Sequence, residues 1–127
     1  ALAAGILHFP KVVGGFAMNF YIGNSINEIN EQDFNVEFSD ELLDYLFKMR
    51  ERTSCDMSKL YQIDPYDDVE VSKNDLQQIA EICKYILATD VLQGYKEPNE
   101  GLQMVQDLLE IIKQALKRNS GLVSMGD

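Results

Sequence analysis

Apolar residues recur at helical spacing in three segments of the chain. The most regular segment follows Ser72, a residue that often caps the start of a helix. Its apolar positions fit the i, i+3, i+4, i+7 template of one helix face, and they are Leu76, Ile79, Ala80, Cys83, Ile86 and Leu87. This pattern predicts an amphipathic helix from Ser72 to about Thr89.

A similar pattern follows Ser39, which is also a favoured cap residue. Charged side chains occupy one side of this segment, and the other side carries the apolar positions Leu42, Leu43, Leu46, Phe47 and, at the margin, Met49. The pattern predicts an amphipathic helix that ends near Arg52.

A third helix is predicted from Pro98 to about Asn119. Proline is favoured at the first helical position, and Gly121 lies where a helix terminator is expected. The apolar face of this segment is wide and predicts a central helix: Leu102, Val105, Leu108, Leu109, Ile112 and Leu116.

Period-two alternation precedes the first two helices, in residues 35–42 and 68–76. Each passage places apolar residues on both sides of an outward Glu, so each predicts a strand that leads into a helix. Residues 20–22 are a third candidate strand, and residues 56–63 a short helix. Short strands persist only when they pair and pack against helices. We therefore expect a mainly helical α+β domain with three to four helices and two or three short strands; an all-α bundle is the alternative.

Residues 1–17 are nearly uncharged and differ in composition from the rest of the chain. We interpret them as an expression scar or a flexible N-terminal extension, and residues 18–127 as one globular domain. The only histidine, His8, falls in this segment and is expected to carry no chemistry. No run of about 18 apolar residues occurs, so we expect no membrane-spanning helix and a cytoplasmic location.

Net charge is the strongest compositional signal. The chain has 21 acidic and 11 basic side chains, which gives a formal charge of −10. Such a surface attracts cationic partners and repels nucleic acid and anionic membranes. We therefore expect a basic protein partner, with no direct binding of nucleic acid or membrane.

The acidic side chains fall into two clusters. We predict that the partner binds Glu37, Asp40, Glu41 and Asp44 in the first cluster, and Asp64, Asp67, Asp68 and Glu70 in the second. If the strands at 35–42 and 68–76 pair with each other, the clusters form one negative surface. A solvated charged face without a partner is the alternative for any single acid.

Tyr66 is the predicted aromatic anchor of this surface, because it lies between acids in a proline-containing turn. Tyrosine supplies both buried area and a hydroxyl group at protein interfaces. A turn aromatic that folds back onto the domain is the alternative.

Known catalytic and metal-binding patterns are missing from the sequence. The EF-hand pattern is broken at Tyr66 and Val69, and no GxSxG, Walker A or GxGxxG motif occurs. The two cysteines, Cys55 and Cys83, form no CxxC pair and are expected to be reduced thiols. We therefore expect no metal, no cofactor and no catalytic residues, and an enzyme that uses a carboxylate pair is the least favoured class.

In its size, its acidity, its missing catalytic motifs and its aromatic and acidic residues, the chain from Met18 onward resembles the small immunity proteins of bacterial toxin systems, including contact-dependent growth inhibition. The resemblance implies a protein that binds one cognate toxin domain, often a basic nuclease, and blocks its active site or an adjacent surface. In such a complex, carboxylates take positions meant for substrate phosphates. A nucleic-acid mimic and an adaptor protein are the alternatives.

Overall fold

The computed structural model describes residues 16–126. Residues 1–15 of the predicted N-terminal extension, with His8, lie outside the described residues. The last two residues of that extension lie inside: Ala17 begins the first strand and pairs with Ser39, and Phe16 contacts the domain.

Residues 16–126 form four strands and four α-helices. The strands are β1 (Ala17–Ile22), β2 (Asn35–Ser39), β3 (Val69–Val71) and β4 (Leu122–Met125). The helices are α1 (Asp40–Lys48), α2 (Ser58–Tyr61), α3 (Lys73–Ala88) and α4 (Pro98–Lys117), and short 3-10 turns cover Ile26–Glu28, Arg50–Arg52 and Val91–Gly94. The α+β, mainly helical fold class is confirmed. Within residues 16–126, no helix has the length and apolar composition needed to cross a bilayer.

The strands form one antiparallel sheet in the order β2-β1-β4-β3. The two strands that lead into helices do not pair with each other, because β2 and β3 are the outer strands of this sheet. With β1 and β4 between them, they lie roughly 14 Å apart at ordinary strand spacing. The two acidic clusters are therefore not joined through the sheet.

The fourth strand, β4, is an addition to the sequence prediction. Leu122, Val123 and Ser124 are each fully buried. A strand buried on both faces reads as a continuous run of buried residues, so it lacks the alternation that marks a half-exposed strand. Helix α4 packs against one face of the sheet. On the other face, the Ile26 amide of the β1–β2 loop donates a 2.9 Å hydrogen bond to Glu70 on β3.

The core lies between the sheet and the helices. Phe20 and Phe38, on neighbouring strands, pack edge to face with ring centroids 6.5 Å apart. From the helices come fully buried side chains such as Leu46 and Ile112. Burying one large apolar side chain stabilises the fold by about 1.5–3 kcal/mol, so this layer supplies most of the driving force for folding.

Both predicted serine caps are present. The Ser39 hydroxyl accepts a 3.2 Å hydrogen bond from the Leu42 amide, and the Ser72 hydroxyl accepts one of 3.3 Å from the Asp75 amide. Such caps satisfy amides that have no partner inside the helix. Strands β2 and β3 therefore pass directly into helices, at Ser39 and Ser72.

Helix α1 is shorter than predicted. It ends at Lys48, and the chain continues as the 3-10 turn Arg50–Arg52. Phe47, predicted on the apolar side, lies at the border of that side and is 43% exposed, whereas Leu42, Leu43 and Leu46 are buried.

The end of α4 also differs from the prediction. Asn119 takes the left-handed conformation, with φ at 58°, and the Ser120 amide reaches back to the Ala115 carbonyl at 2.9 Å. This is a Schellman arrangement, so Asn119 terminates the helix and Gly121 does not. Gly121 lies directly before β4 instead, where a Cβ atom would collide with the Val71 carbonyl oxygen of β3.

Both cysteines are free, as predicted. Cys83 is fully buried in α3, and burial raises the pKa of its thiol to about 12. The Cys83 side chain is therefore a protonated, packed thiol at neutral pH.

We predict that Gly121→Ala destabilises the protein by about 1–3 kcal/mol, because the added methyl group must push β3 away from β4. Urea unfolding measures the change in the free energy of unfolding. Gly101→Ala in α4 is the control, since its methyl group meets movable side-chain atoms at 3.1 Å or more and alanine favours a helix. Equal losses in the two variants would contradict the close β3–β4 contact.

A second prediction concerns Ser124, whose buried hydroxyl has no hydrogen-bond partner among the described residues. Ser124→Ala is expected to stabilise the fold by about 1 kcal/mol, because it removes the desolvation cost of that hydroxyl. Ser72→Ala, which removes a helix cap, is expected to destabilise it by a similar amount. Urea unfolding of both variants checks this difference in sign, and a loss of stability in Ser124→Ala would be evidence against it.

Candidate protein-binding site

An open cleft of about 420 Å³ runs along the exposed side of α1. We name it the α1 cleft. Helix α1 forms one wall. The other wall comes from α2 and from the turn at residues 64–68, which we name the Tyr66 turn. Its lining residues are Asp40, Glu41, Leu43, Asp44 and Phe47 from α1, with Tyr61, Pro65 and Tyr66 opposite.

The α1 wall follows from helical spacing. Asp40, Asp44 and Phe47 lie at positions i, i+4 and i+7, so they share one face of the helix. The buried Leu42 and Leu46 lie on the opposite side. The exposed face therefore begins with carboxylates and ends with an aromatic ring, over about 10 Å of helix.

Asp40 connects three segments of the chain at one end of the cleft. One of its carboxylate oxygens accepts a 2.9 Å hydrogen bond from the Tyr66 hydroxyl, and the other accepts one of 3.2 Å from the Phe16 amide. The Asp40 amide in turn donates to the Phe16 carbonyl at 2.9 Å. An aspartate in the first turn of a helix is also favoured by the helix dipole. Asp40 thus holds the approach to β1 and the Tyr66 turn against the start of α1.

Two further contacts hold the Tyr66 turn. The Tyr66 amide donates to the Asp64 carboxylate at 2.9 Å, which is a local aspartate turn. At the end of β4, the Gly126 amide donates to Asp68 at 3.1 Å. A Cβ atom on Gly126 would lie 2.7 Å from the Tyr66 carbonyl carbon, so only glycine allows β4 to end this close to the turn. The turn, and Tyr66 with it, is fixed against the sheet.

Aromatic side chains are concentrated at the cleft. Among the described residues, five large apolar side chains are exposed, and Phe16, Phe47 and Tyr66 are three of them. Phe16 packs edge to face on Tyr66 at 5.4 Å, and Phe47 packs in the same way on Tyr61 at 5.3 Å. Tyr66 thus contacts the domain through its ring and its hydroxyl while 56% of it stays exposed.

The α1 carboxylates differ in their partners. Glu41 pairs with Lys96 at 2.9 Å, and Asp44 pairs with Lys48 at 2.8 Å. Asp40 accepts only from neutral donors among the described residues. Exposed ion pairs contribute about 0–1 kcal/mol, so cations of another protein can replace these lysines at little cost.

The Tyr66 hydroxyl is held in its protonated, donating form. Its hydrogen bond to Asp40 raises the pKa of Tyr66, and partial desolvation and the charges of Asp40, Asp64 and Asp44 raise it further. Removal of the proton would place a phenolate beside three carboxylates. The contact between Tyr66 and Asp40 therefore persists through the neutral pH range.

The predicted site residues separate into two groups. The structure brings Asp40, Glu41, Asp44 and Tyr66 together in the cleft, and Asp64 lies behind Tyr66 as its amide acceptor.

The remaining four predicted acids lie outside the cleft. Asp67 accepts from the Asp68 amide at 2.8 Å, Asp68 accepts from Gly126, and Glu70 accepts from Ile26. Glu37 is exposed on the edge strand β2, opposite Asn19. Three of these acids therefore satisfy backbone amides and position the turn or the β1–β2 loop.

Sequence reasoning missed Phe16 and Phe47 as site residues. Phe16 falls in the segment interpreted as an extension, and Phe47 fits the apolar helical pattern of α1. The available signal is the spacing of Asp40, Asp44 and Phe47, which places an aromatic ring on the acidic stripe of the helix.

A second cleft, of about 440 Å³, lies between the β1–β2 loop and the end of α4. It contains the exposed Phe34 with one acidic and one basic side chain, Asp33 and Arg118. Within residues 16–126, no three histidine, cysteine or carboxylate side chains are close enough to hold a metal ion. The α1 cleft is the richer of the two in aromatic rings and carboxylates.

No protein-family model, curated protein or solved structure matches the chain. The assignment of the site therefore rests on its own geometry and charge.

We predict that Asp40→Asn lowers the pKa of Tyr66 towards its ordinary value, because the variant weakens the hydrogen bond that the Tyr66 hydroxyl donates to residue 40 and removes the negative charge there. A pH titration of the tyrosine ring carbons by NMR measures this change. Asp107→Asn on α4, where Asp107 accepts from Gln103, is the control and is expected to leave Tyr66 unchanged. An unchanged Tyr66 titration in Asp40→Asn would argue against the contact.

Proposed function

We propose that this protein is an acidic inhibitor of the immunity-protein type. It binds one cognate basic protein and neutralises it in the cytoplasm of the producing cell, and the preferred partner is the nuclease domain of a toxin. The observation that carries the proposal is the α1 cleft, in which three carboxylates and three aromatic rings share one exposed surface.

Each component of this surface has a role in binding a basic protein. Carboxylates steer a cationic partner during encounter and fix its orientation. Aromatic side chains supply the buried area that makes a few interface residues dominate affinity, and tyrosine is among the commonest of these. Tyr66 combines an exposed ring with a fixed backbone, so it loses little conformational freedom when it binds.

Charge favours a nuclease among the possible basic partners. Nucleases bind phosphates through basic surfaces, and the carboxylates of the α1 cleft offer negative charge on one exposed surface. The formal charge of −10 extends this attraction beyond the contact surface. Occupation of such a basic surface blocks the substrate without any chemistry by the inhibitor.

The test is capture of partners from a lysate of the producing cells with the full chain as bait, at low salt and at about 0.5 M salt. The expected result is one basic toxin domain that is retained at both salt concentrations and loses its activity when the chain is added. Tyr66→Ala is expected to weaken binding of that domain by about tenfold or more, as hot-spot truncations do. Phe34→Ala, which removes an exposed aromatic ring outside the cleft, is the matched control and should bind as the wild type does.

Three other results would each contradict the proposal. Many DNA-binding proteins that are all lost at 0.5 M salt would favour nucleic-acid mimicry. A retained partner whose activity is not blocked would favour an adaptor. Turnover of a small molecule that is lost, with the fold intact, on neutralising one carboxylate pair would favour an enzyme.

A further inference from the structure

The guanidinium group of Arg50 packs on the Phe47 ring. The Arg50 guanidinium carbon lies 3.8 Å from the ring centroid, and an Arg50 guanidinium nitrogen donates to the Phe47 carbonyl at 2.8 Å. A cation over an aromatic ring is attracted by the negative face of the ring. Arg50 is itself exposed, so water competes with this contact.

A carboxylate lies next to the same ring. Asp44 and Phe47 are three residues apart on α1, which makes them neighbours on the helix surface. Asp44 is held only by Lys48 among the described residues, and both side chains of that pair are more than half exposed. Phe47 and Asp44 thus form an aromatic face with an adjacent anionic group, each covered by a cation of the chain.

We propose that the α1 cleft binds an arginine side chain of the partner, which replaces Arg50 on the Phe47 ring and Lys48 on Asp44. The proposal rests on the proposed function only for the identity of the partner protein. The arginine takes over the contacts that Arg50 and Lys48 now make with Phe47 and Asp44. Tyr61 and Tyr66 line the same cleft and offer the partner further contact surface.

Arginine fits this arrangement better than lysine does. Its planar guanidinium stacks on an aromatic face and at the same time donates two parallel hydrogen bonds to a carboxylate. Lysine carries a compact, strongly hydrated charge that satisfies one of these contacts at a time. Discrimination between the two cations is therefore the signature of the site.

The experiment titrates the full chain with hexa-arginine and, separately, with hexalysine, and records amide shifts by NMR. The expected result is about two- to fivefold tighter binding of hexa-arginine, the range given by one exposed cation–aromatic contact. The largest shifts are expected in α1 and in the Tyr66 turn. Equal affinity for the two peptides, or shifts centred away from the α1 cleft, would overturn the proposal.

Two pairs of variants distinguish an arginine site at Phe47 and Asp44 from general attraction of cationic peptides to the acidic protein. Arg50→Gln and Arg52→Gln each remove one positive charge from the same 3-10 turn, and only Arg50 covers Phe47. Arg50→Gln is expected to tighten hexa-arginine binding by about two- to fivefold more than Arg52→Gln does. Equal effects would show that net charge alone is responsible and would overturn the proposal.

Phe47→Leu keeps an apolar side chain and removes the aromatic face. Phe47→Leu is expected to bind hexa-arginine and hexalysine with about equal affinity. Phe34→Leu, at an exposed phenylalanine outside the cleft, is the control and is expected to retain the preference for hexa-arginine. If Phe47→Leu still prefers hexa-arginine over hexalysine, the proposed arginine site is wrong.

The failure of this proposal can be told apart from the failure of the proposed function. If a toxin domain is captured equally well by the wild type, Arg50→Gln and Phe47→Leu, the arginine site is wrong and the inhibitor function still holds. If the cleft binds hexa-arginine selectively but no toxin is captured, the arginine site holds and the inhibitor function is wrong.

Discussion

The position of β4 between β1 and β3 is the constraint on which the rest of the structure depends. Without β4, β3 has no strand to pair with, since it pairs only with β4 among the described strands. Gly126 directly follows this strand; its amide donates to Asp68, and its lack of a side chain allows the close contact with the turn that contains Tyr66. From the other side, Asp40 at the start of α1 holds the same turn through the Tyr66 hydroxyl. The candidate site is therefore built where the sheet, α1 and the turn meet.

Local sequence signals predicted the helices well because their causes are local. A serine that accepts a bond from an amide three residues later marks the start of α1 and of α3. The strand order was not accessible in the same way, since β4 is short and buried on both faces and shows no alternation. For the same reason the sequence left open whether β2 and β3 pair with each other: two similar strand patterns do not reveal the two strands that lie between them.

The candidate site was predicted in part for a related reason. Acids close in sequence on α1, and the turn with Tyr66, were identified from composition and from turn residues. Which acids bind backbone amides depends on contacts distant in sequence, such as that between Glu70 and Ile26. Phe47 was missed because a helical pattern does not show whether a residue at the border of the apolar side is buried. Phe16 was missed because the sequence does not show what packs against the segment before β1. Exposure of these rings is a tertiary property of the chain.

The central claim is that the face formed by α1 and the Tyr66 turn binds a basic protein. Hydrogen–deuterium exchange of the full chain, alone and in complex with the basic domain recovered from producing cells, tests this claim most directly. The account predicts slower exchange in residues 40–48 and 64–68, with little change along α4. Slowing confined to the β1–β2 loop or to the end of α4, with the α1 face unchanged, would contradict it.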